Sequence, residues 1–271
     1  MSTPQIVGIL NITPDSFSDG GDSYRVLDAM NHAREMITSG VSIIDVGAVS
    51  TRPKGDFISY DDEIQRLKTI VPELRNFLAG TNIRISLDSY NYQTIAEFIS
   101  DIDIINDVTG LNDVNMQAVT LESGKEAIFM HSMSVPVNNT LYCLDTKIDI
   151  IEFLLNWRDR KIETLTAKGF KLENLVFDPG IGFGKDAHQS MSIIARIDEL
   201  VSGDVKIMIG HSRKSFLTLC GESDAKKRDL ETHIITNFLL DKNINYLRVH
   251  DVLGTCRVLK LYNYINYRVR W

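Results

Sequence analysis

The polar residues of this chain that are able to do chemistry fall in short clusters, and each cluster sits at the C-terminal end of a short apolar run. Asp88, Asn106 and Asp178 each end such a run, so their side chains are expected to point into a largely buried pocket, where a polar group needs a partner or a ligand. Lys214 belongs with them by type. Two carboxylates, an amide and an ammonium make a mixed donor and acceptor lining, which suits the edge of a flat heterocycle such as a purine or a pterin and not an aliphatic acid. Arg52, Arg248, His250 and the 212–215 turn form a second, cationic group, the chemistry expected of a phosphate or oxyanion site. Plainer readings stand beside these. Arg248 is also placed to pair with Asp251, His250 to be a satisfied core histidine, and Asp107 and Asp251 to cap helices. The segment 178–185, DPGIGFGK, is too rich in glycine for a simple turn and lets backbone approach a ligand closely. It lacks P-loop spacing, and no H-E-x-x-H, C-x-x-C or G-x-S-x-G pattern occurs to suggest zinc proteolysis or triad hydrolysis.

The elements that must position these residues are legible as periodicity. Apolar, β-branched runs recur at 5–10, 42–46, 83–87, 103–105, 127–130, 175–177, 206–209 and 246–249. Most are continuous hydrophobics, the pattern of parallel strands buried on both faces. Between them, 61–78 carries Ile64, Leu67, Val71, Leu74 and Leu78 on one helical stripe. The segment 150–167 repeats the device and is followed by Gly169 as a C-terminal cap, and 253–265 spaces Cys256, Leu259, Tyr262 and Ile265 in the same way. Strands alternating with helices predict an α/β fold, a single (β/α)8 TIM barrel over 1–271, with the polar clusters converging on one mouth. An open doubly wound sheet is the alternative. The absence of a G-x-G-x-x-G after the first strand weighs against its dinucleotide-binding form.

Bulk properties narrow the field. A net charge of −7 argues against nucleic acid or an anionic membrane surface as the main partner. Cys143, Cys220 and Cys256 are too few and too scattered for a disulfide framework or a zinc cluster. With no secretory signal and no long apolar span, the expected setting is the cytoplasm.

Five segments taken together carry a resemblance: GILNITPDSFSDGG (8–21), STRP (50–53), DPGIGFGK (178–185), SRKS (212–215) and RVHDV (248–252). In order and content they are similar to the signature segments of the dihydropteroate synthases, pterin-binding enzymes of folate biosynthesis. The resemblance implies condensation of 6-hydroxymethyl-7,8-dihydropterin pyrophosphate with p-aminobenzoate to give 7,8-dihydropteroate and pyrophosphate, by an SN1-like route. Carried over by position, it puts Asp88, Asn106, Met130, Asp178 and Lys214 around the pterin. Asn11, Arg52, Arg248 and His250 would bind pyrophosphate, with Mg2+ held by Asn11 and phosphate oxygens. Phe17, Thr51, Pro53, Phe183, Lys214 and Ser215 would surround p-aminobenzoate, while Asp15 and Asp19 lie in a loop that folds over the site. A homodimer through the last helices, using 238–240 and 259–264, and inhibition by sulfonamides are further implications.

The chain departs from the family pattern at Val49, where Glu is common, at Asn91, where Lys is common, at 130–136 and at His211. Met130 itself keeps the family's type, and none of the residues that differ is assigned chemistry. Two competing functions keep a pterin pocket. A methyltetrahydrofolate-binding methyltransferase barrel has no use for the pyrophosphate-binding STRP and RVH segments, and a catalytically silent pterin-binding subunit has no use for an intact cationic set.

Overall fold

The computed structural model describes residues 3–12, 22–49, 58–135, 138 and 142–268. Eight strands close into one parallel barrel in sequence order: β1 (Gln5–Asn11), β2 (Ile43–Gly47), β3 (Arg84–Asp88), β4 (Ile104–Asp107), β5 (Glu126–Met130), β6 (Leu175–Asp178), β7 (Lys206–Ile209) and β8 (Tyr246–Val249). β8 pairs back onto β1, with Arg248 opposite Val7, so no edge is left open. All eight fall on the expected runs. The open sheet is therefore ruled out.

Helices fill the returns: α1 (Asp22–Ser39), α2 (Tyr60–Leu67), α3 (Ile70–Phe77), α4 (Tyr92–Glu97) and α5 (Val114–Ser123) in the first half. α6 (Ile150–Ala167), α7 (Ala187–Ala195), α8 (Ile197–Leu200), α9 (Asp229–Leu239) and α10 (Val252–Asn263) complete the set. The stripe read as one helix over 61–78 is two helices, α2 and α3. Pro72 explains the break: it has no N–H for the Lys68 carbonyl, and its ring would strike that oxygen. α6 matches its expected span, with Asp149 accepting from the backbone of Ile151 and Glu152 and Gly169 at φ +101° closing the far end.

Alternation along each strand splits the core in two. One set of side chains, among them Leu10, Ile44, Val46, Leu87, Phe129, Phe177 and Leu247, packs outward against the helices. The other forms an inner ring: Val7, Ile43, Ile104, Ile128, Val176, Met208 and Tyr246. Side chains two residues further along a strand point the same way, one layer nearer the C-terminal ends. That next layer is Ile9, Asp45, Asn106, Met130, Asp178, Gly210 and Arg248. The barrel's own periodicity thus delivers polar side chains to the floor of the mouth, on top of a dry ring.

Candidate active site

At that floor, β3 and β4 set Asp88 directly beside Asn106, while β5 and β6 set Met130 beside Asp178. Asn106, Asp178 and Met130 are all almost fully buried. Lys214 arrives from the turn after β7, its Nζ donating to the Ile181 carbonyl at 2.7 Å. A Cβ at Gly210 would lie 3.7 Å from Lys214 Nζ, 3.9 Å from Asp178 Oδ2 and 3.9 Å from Arg248 Cβ, which locates these three groups around one point. The four residues expected to read a ring are therefore brought to one end of the barrel.

Arg248 lies with them. Its Nε donates to Asp45 Oδ2 and its Nη2 to Asp88 Oδ2, both at 2.6 Å. The expectation grouped Arg248 with the anion-binding residues. In the structure its guanidinium is committed to two carboxylates of the ring-reading set, because β8 closes the barrel next to β1 and places it within reach of β2 and β3. The alternative pairing with Asp251 is not formed: Asp251 caps α10 through the Gly254 N–H and faces His233 Nε2 at 3.1 Å. Asp107 likewise serves local structure, accepting from Thr109 and Leu111.

Burial dominates the electrostatics. It pushes Asp88 up to about 7, against the pull of Arg248 and with the help of Asp45, Glu63 and Asp107. It raises Asp178 too, opposed by Lys214, and pushes Lys214 down to about 8, opposed by Asp178. Burial also disfavours the Arg248 cation, yet Asp45 and Asp88 hold it above its ordinary value. Three carboxylates thus share two cations in a poorly hydrated floor.

The 178–185 turn is fixed from within. Asp178 Oδ1 accepts from the Gly180 N–H at 2.7 Å. Gly180 has φ +66°, and a Cβ there would lie 1.9 Å from the His131 carbonyl oxygen, so no other residue fits. Lys185 is buried and donates to the carbonyls of Gly180 at 2.9 Å, Phe183 at 3.1 Å and His131 at 3.3 Å, with His131 Nδ1 at 2.8 Å. This cage presents Phe183 half-buried, 4.9 Å from Lys214 Nζ.

His250 stands just beyond β8, with Ser212 Oγ 3.0 Å from its Nδ1 and 3.2 Å from its backbone nitrogen. Since that hydroxyl accepts from the backbone N–H, its own proton is free to meet Nδ1, which favours the tautomer protonated at Nε2. Asn11 ends β1, and Ser215, itself exposed, opens a 3-10 turn (Ser215–Cys220). Asp15, Phe17, Asp19, Thr51, Arg52 and Pro53 lie outside the described residues. Among the described residues no group of three His, Cys, Asp or Glu forms a metal site.

Sequence reasoning assigned no role to Asp45, Lys185 or His131, and took Ser212 only as part of the cationic 212–215 turn. Asp45 had a signal: an acid inside the run IIDVG, two residues beyond Ile43. The departures also find places. Asn91 Nδ2 donates to the buried Glu63 at 2.7 Å, alongside Thr94 and Ser89. His211 is fully buried against α9, with Nε2 at 2.9 Å from Thr236 Oγ1. Of the segments expected at a dimer contact, Leu239 and Leu240 are core residues and Leu259 and Tyr262 pack on the barrel; Phe238, Leu261 and Tyr264 are their exposed large hydrophobics.

A closed parallel barrel whose mouth combines ring-reading carboxylates, an amide and a lysine defines a TIM-barrel enzyme acting on a flat, polar-edged heterocycle. The sequence pattern of the family described as pterin binding enzyme matches residues 7–250, and the chain belongs to that family. A dihydropteroate synthase of Streptococcus pyogenes is 37% identical over 251 residues, which cover 91% of this chain and 90% of that protein. A probable bifunctional folylpolyglutamate synthase/dihydropteroate synthase of Haloferax volcanii is 36% identical over 91% of this chain, which spans only 29% of that relative. Among solved structures, dihydropteroate synthase from Anaplasma phagocytophilum with bound 6-hydroxymethylpterin-monophosphate superposes with TM-score 0.88 and 32% identity, covering 97% of this chain and 100% of that one. The Yersinia pestis enzyme with a sulfonamide drug complex gives TM-score 0.86 and 28% identity, covering 97% and 94%.

Proposed function

We infer that this chain is a dihydropteroate synthase, a transferase of folate biosynthesis that joins 6-hydroxymethyl-7,8-dihydropterin pyrophosphate to p-aminobenzoate. The observation that carries this is the convergence of Asp88, Asn106, Asp178 and Lys214 on one buried floor in a chain of this family. In the reaction the bond from the pterin methylene to the pyrophosphate oxygen breaks, the bond to the aniline nitrogen forms, and that nitrogen loses a proton. An SN1-like order fits the residues. Carboxylates outnumber cations at the floor, so a cationic ring-methylene is favoured there by charge. None of the described residues at the floor is placed as an activated nucleophile, and none is required, because the arylamine attacks directly.

Asp88, Asn106, Asp178 and Lys214 bind the ring in this reading, with Met130 against it. Asn11, Arg52, Arg248 and His250 take the pyrophosphate. Phe17, Thr51, Pro53, Phe183, Lys214 and Ser215 surround p-aminobenzoate, and Asp15 and Asp19 close the first loop over the site. Mg2+ suits this donor set in a limited sense: Asn11 would hold it through its side-chain oxygen, leaving room for substrate phosphates and water as is common for this ion. Bound there, it would neutralise charge on the departing pyrophosphate.

Sulfonamides, as p-aminobenzoate mimics, are expected to compete for the same subsite. Exposed Leu230, Ile234 and Phe238, at four-residue spacing on α9, and exposed Leu253, Leu261, Tyr264 and Ile265 on and just after α10 favour a homodimer through these two packed helices. No described helix is long and apolar enough to cross a membrane, in keeping with a cytoplasmic enzyme. Incubating purified protein with the pterin pyrophosphate, labelled p-aminobenzoate and Mg2+ tests the reading. Labelled dihydropteroate is expected. Its absence, with substrates intact, overturns the function and leaves a silent pterin-binding subunit.

A further inference from the structure

Asp45 is a carboxylate with no exposed surface, set in the middle of β2 between the inner ring and the mouth. A charge buried this way is costly unless its oxygens are fully engaged. They are engaged by two residues of the ring-reading floor. Oδ2 receives the Nε–H of Arg248 at 2.6 Å, and both oxygens lie 3.3 Å from the amide nitrogen of Asn106. These partners are distant in sequence and come from β4 and β8, on either side of β2 around the barrel.

We propose that Asp45 is a positioning residue that sets the donor and acceptor pattern of the pterin pocket, by fixing the Asn106 amide and the Arg248 guanidinium in one orientation. The argument is one of valence. An ionised carboxylate only accepts, so the Asn106 amide must turn its nitrogen toward Asp45 and its oxygen away. One N–H is thereby committed, and the carbonyl oxygen is left to accept from a ring N–H. The same carboxylate holds Arg248 at its Nε, which orients the guanidinium so that Nη2 meets Asp88. Gly47 is the next residue of β2 facing the same way. A Cβ there would lie 3.4 Å from Asp88 Cβ, so β2 adds no side chain between Asp45 and the pocket. Without Asp45 the amide is free to flip, and the floor no longer presents one pattern to the ring.

This inference rests on the pterin reading, and the test separates the two. Asp45→Asn keeps the shape but turns one accepting oxygen into an N–H donor; with its remaining oxygen on Arg248, that donor stands where Oδ1 lies 3.3 Å from the Asn106 amide nitrogen, and two donors face each other until the Asn106 amide flips. Calorimetric titration with 6-hydroxymethylpterin should show binding weakened about 30-fold, the size expected for losing a hydrogen bond to a charged group. The KM for p-aminobenzoate should stay within about 2-fold, a split that general loosening of the fold would not produce. Asn106→Asp alone sets two carboxylates together and should bind at least as poorly. The double variant D45N/N106D restores an amide–carboxylate pair, again turns an oxygen toward the ring, and should recover most of the wild-type affinity. Wild-type binding by D45N overturns the proposal. So does a double variant that binds no better than N106D, a comparison that carries the test alone if D45N does not unfold cooperatively. Failure of the wild-type chain to bind the pterin would fall on the pterin reading, and on this inference with it.

Discussion

The two ends of the barrel are built from the same strands and treat charge in opposite ways. At the N-terminal end, Glu126 accepts from Arg84 at 3.2 Å, from Lys206 and from the Tyr246 hydroxyl at 2.8 Å. Arg84 also donates to Gln5 and to Tyr246, both at 3.0 Å. Each group there is satisfied by its neighbours. At the C-terminal end, three carboxylates share two cations, and burial holds Asp88 and Asp178 above the ordinary carboxylate range. A closed set stabilises the fold. A set with acceptors left over is a site waiting for N–H donors.

Substitutions at the two ends should therefore separate activity from stability. The largest effect is expected from Asp178→Ala, which removes a charged acceptor: kcat/KM for the pterin pyrophosphate should fall about 100-fold, close to 2.7 kcal/mol. Its thermal midpoint should fall by no more than a few degrees, because the lost bond from the Gly180 N–H is offset by removal of a disfavoured buried charge. A fall of more than about 5 °C would break the contrast, since it would make Asp178 structural. At the other end, Glu126→Gln leaves two cations without their carboxylate, and urea unfolding should show a loss of about 2 kcal/mol. Its kcat/KM should remain within about 2-fold. A large loss of activity there would mean that the two ends are coupled.

Acidification should sharpen the difference. Asp88 has a folded pKa raised to about 7, above its unfolded value near 4. The stability this group contributes is therefore fully present below about 4 and is lost as pH rises through about 7. Activity runs the other way, because only the ionised carboxylate accepts from the ring. The kcat/KM profile for the pterin substrate should fall below pH 7, approaching tenfold per unit, and Asp88→Asn should abolish that limb. The smallest effect is expected from Ser212→Ala, which frees the tautomer of His250: about 5-fold in kcat/KM, for one neutral hydrogen bond near 1 kcal/mol. No change in KM for p-aminobenzoate is expected, and a change there would move Ser212 to the other subsite.

Much of this site was legible because barrel strands are short and end where function begins. Asp88, Asn106 and Asp178 announce themselves by closing apolar runs, and the five signature segments named the family. Asp45 was less legible, since an acid in the middle of a five-residue strand looks like part of the run until the inward alternation is fixed by Ile43. Arg248 was grouped by charge type, and its partners, Asp45 and Asp88, lie 203 and 160 residues away. The segment 61–78 was read as one helix because hydrophobic period persists across the break before Pro72 while the hydrogen bonds do not.

By itself, then, the sequence determined the strand count, the parallel barrel and the residues offered at its mouth, because these follow from local period and from where polar residues interrupt it. Which offered groups meet was decided only by closure of the barrel. Closure brought β8 beside β1, set Arg248 between Asp45 and Asp88, and turned the Asn106 amide toward Asp45. Pairings across such sequence distances arise from strand register and tilt, and no local pattern encodes them.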